Sequence, residues 1–297
     1  MRKSLPAFII VCCAALLTVN QSSAQNKPVF SIPFTLVDNR PFIEVKIKQH
    51  TFHFILDCGA DYGLETQTAK LLSQKLTNPT MMGGGAGANK VQVFSTVVDT
   101  AKIGPVNVLG QEFTVVDMSE IKNNLHLPYL DGIIGYHFMK DYAVQFDYQH
   151  NVINFYKSYS APSPVPFTMY DGQIPKFDAT IDGIPATVIV DTGDRTAFTL
   201  FNHFAIKNDI IKKYKLSDTT ITGYGLGGPI YARTFRLKDL RMGSAHVINA
   251  PSRIPMMKTG AFADTNIDGS LGGGVLRNYK FTIDYIDNKL YFETVKF

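Results

Sequence analysis

The chain has 297 residues, 45% apolar and 18% charged. That balance excludes wholesale disorder, and a prior of about 150 residues per domain suggests two domains. The formal charge of +4, from 29 basic and 25 acidic side chains spread along the sequence, excludes the concentrated positive field that nucleic acid or an anionic membrane requires.

In chain order, Arg2 and Lys3 come first, then the apolar run 7–19 (AFIIVCCAALLTV) and the polar stretch NQSSAQ. This is the order of a secretory signal. Ser22 and Ala24 supply small residues at the −3 and −1 positions, so cleavage is expected after Ala24, with residues 1–24 a signal peptide and the protein exported to the periplasm or beyond. The run falls short of the roughly 20 residues of a membrane span, and no stable span is expected in the mature chain. Cys12 and Cys13 leave with the signal. Cys58 alone remains, so no intramolecular disulfide forms and stability must come from the core.

A repeat covers nearly all of the rest. PFIEVKIKQHTFHFILDCGA (41–60) aligns with PKFDATIDGIPATVIVDTGD (175–194), and GGGAGA (83–88) aligns with GYGLGG (223–228). DGIIGYHFMKDYAVQFDYQHNVINFY (131–156) aligns with DGSLGGGVLRNYKFTIDYIDNKLYFE (268–293). The expected organisation is an N-terminal lobe over 25–159, a proline-rich stiff linker over 160–166 and a C-terminal lobe over 167–297. Within the first lobe the alternation of Phe42 to Ile47, then Phe52 to Leu56, Gln92 to Val98 and Phe113 to Val116, predicts strands. In the second, Thr187 to Val190, Ala232 to Leu237 and Lys280 to Ile283 read the same way. Helices are predicted over Thr66 to Leu76, with Ala69, Leu72 and Leu76 on one face, and over Asn202 to Tyr214.

Asp57-Cys58-Gly59-Ala60 and Asp191-Thr192-Gly193-Asp194 each end an apolar strand. A strand followed by Asp, a small residue and Gly is a turn that presents a carboxylate. One such turn means little; two copies in repeated lobes meet face to face if a pseudo-twofold axis relates the lobes. Two carboxylates in contact cannot both ionise cheaply, so one holds a proton while the other does not. The ionised partner can take a proton from water while the neutral one polarises a carbonyl, which suits amide hydrolysis without metal or covalent intermediate.

On these motifs the chain resembles the aspartic proteases of the retropepsin/pepsin superfamily. The strand–Asp-x-Gly turns, the apolar–apolar–Gly elements Ile133-Ile134-Gly135 and, more loosely, Ser270-Leu271-Gly272, and the glycine-rich hairpins between them carry the resemblance. It implies a mostly β fold: two homologous closed β-barrel-like lobes of the acid-protease type, with short helices, related by a pseudo-twofold axis. It implies Asp57 and Asp191 as a catalytic dyad, with Cys58, Gly59, Thr192 and Gly193 supporting the turns. Gly83, Gly84, Gly85 and Gly87, with Gly223, Tyr224, Gly225, Gly227 and Gly228, become flap candidates over the substrate; two such flaps resemble a fused retropepsin dimer more than a one-flap pepsin. Such families place Thr or Ser after the catalytic Asp, whose hydroxyl bonds across to the opposite turn. Thr192 fits, whereas the Cys58 thiol predicts a weaker bond on its side. Asp194, where pepsin-like members carry Ser or Thr, is expected to pair with Arg195 or a remote arginine, or to raise the dyad's pKa.

Other signals carry less. GYGLGG contains the glycine spacing of a dinucleotide site, but the next residues, 229–233 (PIYAR), read as strand where such a site needs a helix. His50 and His53 lack the partners of a metal cluster, and Cys58 lacks an ordered histidine. Lys212 and Lys213 read as a solvated helix face. The expected function is an exported aspartic endopeptidase acting on peptide or protein substrates as a monomer, with no cofactor and no metal. The alternative is a non-catalytic or weakly active peptide-binding pseudoprotease.

Overall fold

The computed structural model describes residues 26–83 and 85–294. The signal-peptide expectation over 1–24 and the flap candidate Gly84 lie outside the described residues. The chain is mostly β, with short helices and sheets of eight and thirteen strands.

The same pairing scheme builds both halves. In the first, Arg40–Ile47 and His50–Leu56 form a hairpin in which Phe42 faces Ile55 and Val45 faces Phe52. Alternation aims Ile43, Val45 and Ile47 inward, all at most 1% exposed. Gly132–Ile134 lies parallel beside His50–Leu56, then Gly63–Glu65, then the ribbon of Val91–Ile103 and Val106–Val116. The ribbon returns to set Ile103 beside Val45, which closes the sheet on itself. In the second half the hairpin is Ile174–Ile181 with Ile184–Asp191. Gly269–Gly272, Phe198–Leu200, Ala245–Pro255 and Gly228–Met242 come next in the same order, and closure comes at Ile181 beside Leu240. Closure removes the bare edges an open sheet would carry.

The halves join through an antiparallel ladder of Ala143–Asp147 with Tyr279–Asp284, in which Gln145 lies opposite Thr282. These two residues are equivalent in the sequence repeat, so an approximate twofold axis passes between them. The ladder is dry: Val144, Phe146, Phe281 and Ile283 are fully buried in a cluster continuous with Leu56 and Val190.

The predicted strands all form. Several are longer than their apolar windows, because the ribbon partners continue pairing beyond the core: Thr100 faces Leu109 and Lys102 faces Asn107. The predicted helices are shorter. Thr66–Leu71 ends where Ser73 takes φ 53°, and Gln74 N–H bonds back to Ala69 O at 3.0 Å. The second breaks into Asn202–Lys207 and Ile210–Lys213, because Asp209 sits at φ 55°.

Candidate active site

Asp57 and Asp191 end the inner strands of the two hairpins, and each turn folds over its own carboxylate. Gly59 N–H donates to Asp57 Oδ1 at 2.8 Å, and Gly193 and Asp194 N–H donate to Asp191 Oδ1 at 2.9 and 3.0 Å. The turns are held from below. Asp57 N–H bonds to Ile134 O at 2.9 Å and Tyr136 N–H to Ala60 O at 3.0 Å. A Cβ on Gly135 would overlap Ala60 O, so only glycine lets the supporting strand approach. The aspartates that open DGIIG and DGSLG tie in the preceding strand: Asp131 accepts from His53 N–H and Asp268 from Thr187 N–H, both at 2.8 Å.

The two turns meet. Cys58 N–H donates to Thr192 Oγ1 at 3.0 Å, and Thr192 Oγ1 donates to Leu56 O at 2.9 Å. In return, Thr192 N–H donates to Cys58 Sγ at 3.3 Å, and Cys58 Sγ donates to Val190 O at 3.4 Å. The cross-bonding is complete on both sides and longer through sulfur. Each turn glycine faces the opposite aspartate: a Cβ on Gly59 would lie 3.0 Å from the Asp191 carboxyl, and one on Gly193 would overlap Asp57 Oδ2. The two carboxyls are thereby brought face to face across the junction.

Both aspartates keep some surface open to the cleft, yet the protein packed around them penalises charge. Burial raises the Asp57 pKa, opposed by the Gly59 N–H and by the Arg40 charge. Asp191 is raised well above the carboxylate range, first by burial, then by the charges of Asp57 and Asp194. The pair therefore holds one proton more readily than none. Cys58 is fully buried, and burial together with both neighbouring aspartates pushes its thiol up, so no thiolate forms there.

Asp194 pairs with the remote arginine. Arg253 Nη2 donates to Asp194 Oδ2 at 3.0 Å and Oδ1 at 3.2 Å, with both side chains almost wholly buried. Arg195 turns instead to Asp38, at 2.8 Å. The pairing and the hydrogen bonds from Thr196 hold Asp194 below the usual carboxylate range, so its charge persists beside the dyad.

Arg40 is a site residue that the motifs do not mark. It is 6% exposed, donates from Nε to Gly193 O at 2.7 Å and from Nη1 to Asp38 at 2.8 Å, and so carries the first half's Asp38-Asn39 turn onto the second half's active turn. One sequence signal points to it: an arginine directly after an Asp-Asn turn precedes the apolar residues Pro41, Phe42 and Ile43, and a charge buried with them must find an acceptor.

Both glycine-rich tips cover a cleft of about 640 Å³ above the aspartates. They interlock through backbone bonds, Gly87 N–H to Leu226 O at 2.8 Å and Asn89 N–H to Gly227 O at 3.0 Å. Gly85, Gly223, Tyr224 and Gly225 line the cleft. Gly83 lies near Lys90, and Gly87, Gly227 and Gly228 sit at the crossing of the tips, where a Cβ on Gly87 would overlap the 227–228 backbone. Among the described residues no three His, Cys, Asp or Glu side chains gather as metal ligands. No helix there is long and apolar enough to cross a membrane.

Residues 43–138 match the aspartyl protease family model. The matched segment begins in the first hairpin, contains Asp57 and ends just beyond Gly135; Asp191 lies outside it. The match supports an aspartyl protease family, a hydrolase acting on peptides. No curated protein matches the chain.

Proposed function

We propose that the chain is an exported aspartic endopeptidase, two-lobed and monomeric, in which Asp57 and Asp191 activate one water. The observation that carries this reading is the pair of carboxyls facing each other across the cross-bonded junction of the two turns, beneath a roofed cleft. Burial raises both carboxyls and the persistent Asp194 charge lies beside Asp191, so the mechanism is written with the resting proton on Asp191, although titration belongs to the pair as a unit. Asp57 takes a proton from the water as its oxygen attacks the peptide carbonyl carbon, and Asp191 gives its proton to the carbonyl oxygen. The proton on Asp57 then passes to the departing amine as the C–N bond breaks, and one hydroxyl of the gem-diol returns its proton to Asp191 as the new carboxyl group forms, which restores the resting pair. The flap tips would lie along an extended substrate and offer backbone hydrogen bonds to it. Export rests on the order of basic, apolar and small residues before Gln25.

The test is hydrolysis of a mixed peptide library by the purified mature protein across a range of pH. Asp57→Asn and Asp191→Asn are each expected to abolish cleavage while the fold persists, and the double variant to lose little more, because the two act as a unit. Substantial turnover by either single variant would overturn the dyad.

A further inference from the structure

The two sides of the cleft floor are built from equivalent backbone positions but from different chemistry. On the first side, Ala60 comes after the turn glycine, Ile133 lies beside Ile55, and Thr114 lies beside Gly63. Ile55 and Val116 belong to an apolar cluster with Met118 and Leu130. On the second side the equivalent positions hold Asp194, Ser270 beside Ile189, and Arg253, reached through the pairing of Phe198–Leu200 with Ala245–Pro255. Asp194, Arg253 and Ser270 all line the cleft.

The hydrogen-bond inventory of the polar side is lopsided. Asp194 is saturated: Thr196 N–H, Thr196 Oγ1, Thr199 Oγ1 and Arg253 Nη2 all donate to it. Arg253 Nε is spent on Thr199 Oγ1 at 2.9 Å, and its plane stacks over the Phe262 ring at 5.1 Å. Arg253 Nη1 has no partner among the described residues. A Cβ on Gly223 of the second tip would lie 3.3 Å from it, so the glycine leaves this nitrogen uncovered. Ser270 Oγ is buried and has no partner. A buried polar atom without a partner is costly, and a ligand can supply what is missing. Nη1 can only donate, the Ser270 hydroxyl can donate too, and the carboxylate that would welcome a cation is occupied.

We propose that Arg253 and Ser270 form a polar subsite on the Asp191 side of the cleft that selects a substrate side chain bearing a hydrogen-bond acceptor, a carboxylate or a carboxamide. The Asp57 side takes an apolar side chain against Ile55, Ile133 and Leu130. This rests on the peptidase reading and specifies its substrates. A carboxylate gains a charge-assisted bond from Nη1 and ranks above the carboxamide. A lysine meets the Arg253 charge with no free carboxylate to offset it and is disfavoured, and a leucine leaves both donors unpaired.

The experiment uses fluorescent octapeptide pools with Phe on one side of the central bond and Glu, Gln, Leu or Lys on the other, in both orders, with cleavage sites read by mass spectrometry. The mature protein is expected to cleave the Glu and Gln pools at least about tenfold faster than the Leu and Lys pools, in one order only. Asp194→Ala with Arg253→Val, which removes both charges together, is expected to erase that ratio. Ser270→Ala, a truncation small enough to fold, is expected to lower it about threefold. Leu cleaved as fast as Glu, or a ratio unmoved in folded variants, overturns the subsite. If no pool is cleaved, the peptidase reading falls separately, and anisotropy of the same pools bound to the protein decides the subsite: Glu and Gln tighter than Leu upholds it, the reverse overturns it.

Discussion

Cys58 and Thr192 bind each other across the junction of the two halves, Cys58 N–H to Thr192 Oγ1 at 3.0 Å and Thr192 N–H to Cys58 Sγ at 3.3 Å. A thiol thus occupies the place a hydroxyl fills on the opposite turn, with the same partners at longer range. Sulfur is a weak donor and a weak acceptor, so this side of the grip is the softer one.

Cys58→Thr is expected to tighten it. The site already accommodates a threonine in mirror arrangement, and a hydroxyl there gains on the order of 1 kcal/mol. Denaturant unfolding should show the gain, with hydrolysis equal or higher. Cys58→Ala should cost about 1–3 kcal/mol, because Thr192 N–H and Val190 O lose their partner, yet retain measurable hydrolysis. Background activity in folded Cys58→Ala, alongside an active Asp191→Asn, would instead assign the chemistry to the thiol.

The Asp194–Arg253 pair makes a second prediction. Removing one member strands a buried charge, so Asp194→Ala should lose about 3–5 kcal/mol, whereas Asp194→Ala with Arg253→Val should recover most of it. Equal losses in the single and the double variant, measured by urea unfolding, would show that the pair is not the source.

The same residues set a pH dependence. Asp194 keeps its charge beside Asp191 and helps hold the Asp191 proton. Asp194→Asn removes that charge and leaves Arg253 uncompensated; both changes ease proton loss from Asp191. The alkaline limb of the kcat profile should therefore move to lower pH. An unmoved or raised limb would contradict the assignment.

The dyad also destabilises the fold as pH rises. A carboxyl whose folded pKa exceeds its unfolded value contributes stability below the unfolded value and loses it as pH climbs through the folded one. Asp191→Asn carries no such proton. Its melting temperature should match that of the parent in acid and exceed it progressively toward neutrality, which thermal scans at stepped pH will read.

Closure of the two tips can be tested at Gly87. Its Cβ would overlap the 227–228 backbone only when the tips are crossed. Gly87→Ala should therefore lower kcat/KM about tenfold or more while thermal stability stays within roughly 0.5 kcal/mol. A large drop in melting temperature would show the tip to be part of the folding core.

The features legible in the sequence are local or repeated. The turn chemistry around Asp57 and Asp191 is written in a few adjacent residues, and the alternation of Ile43, Val45 and Ile47 fixes which face is buried. The helix ends escape apolar spacing because Ser73 and Asp209 adopt left-handed conformations that no such spacing records. Arg40 and the partner of Asp194 are hidden for another reason. Their acceptors lie far along the chain: Gly193 O meets Arg40 only once the two halves dock, and the Asp194 carboxylate meets Arg253 only once the second half's own sheet has closed.

The ladder at Gln145 and Thr282 bears on how the molecule can assemble at all. Cut between the halves, the strand Ala143–Asp147 would expose a row of unpaired amides and carbonyls whose natural complement is a near copy of itself. A second first-half fragment fits that edge as readily as the authentic partner, so separated fragments would sort into like pairs or stack further into aggregates. Joining them in one chain makes the correct pairing an intramolecular event, independent of protein concentration and favoured over self-association by the high local concentration of the tethered edge.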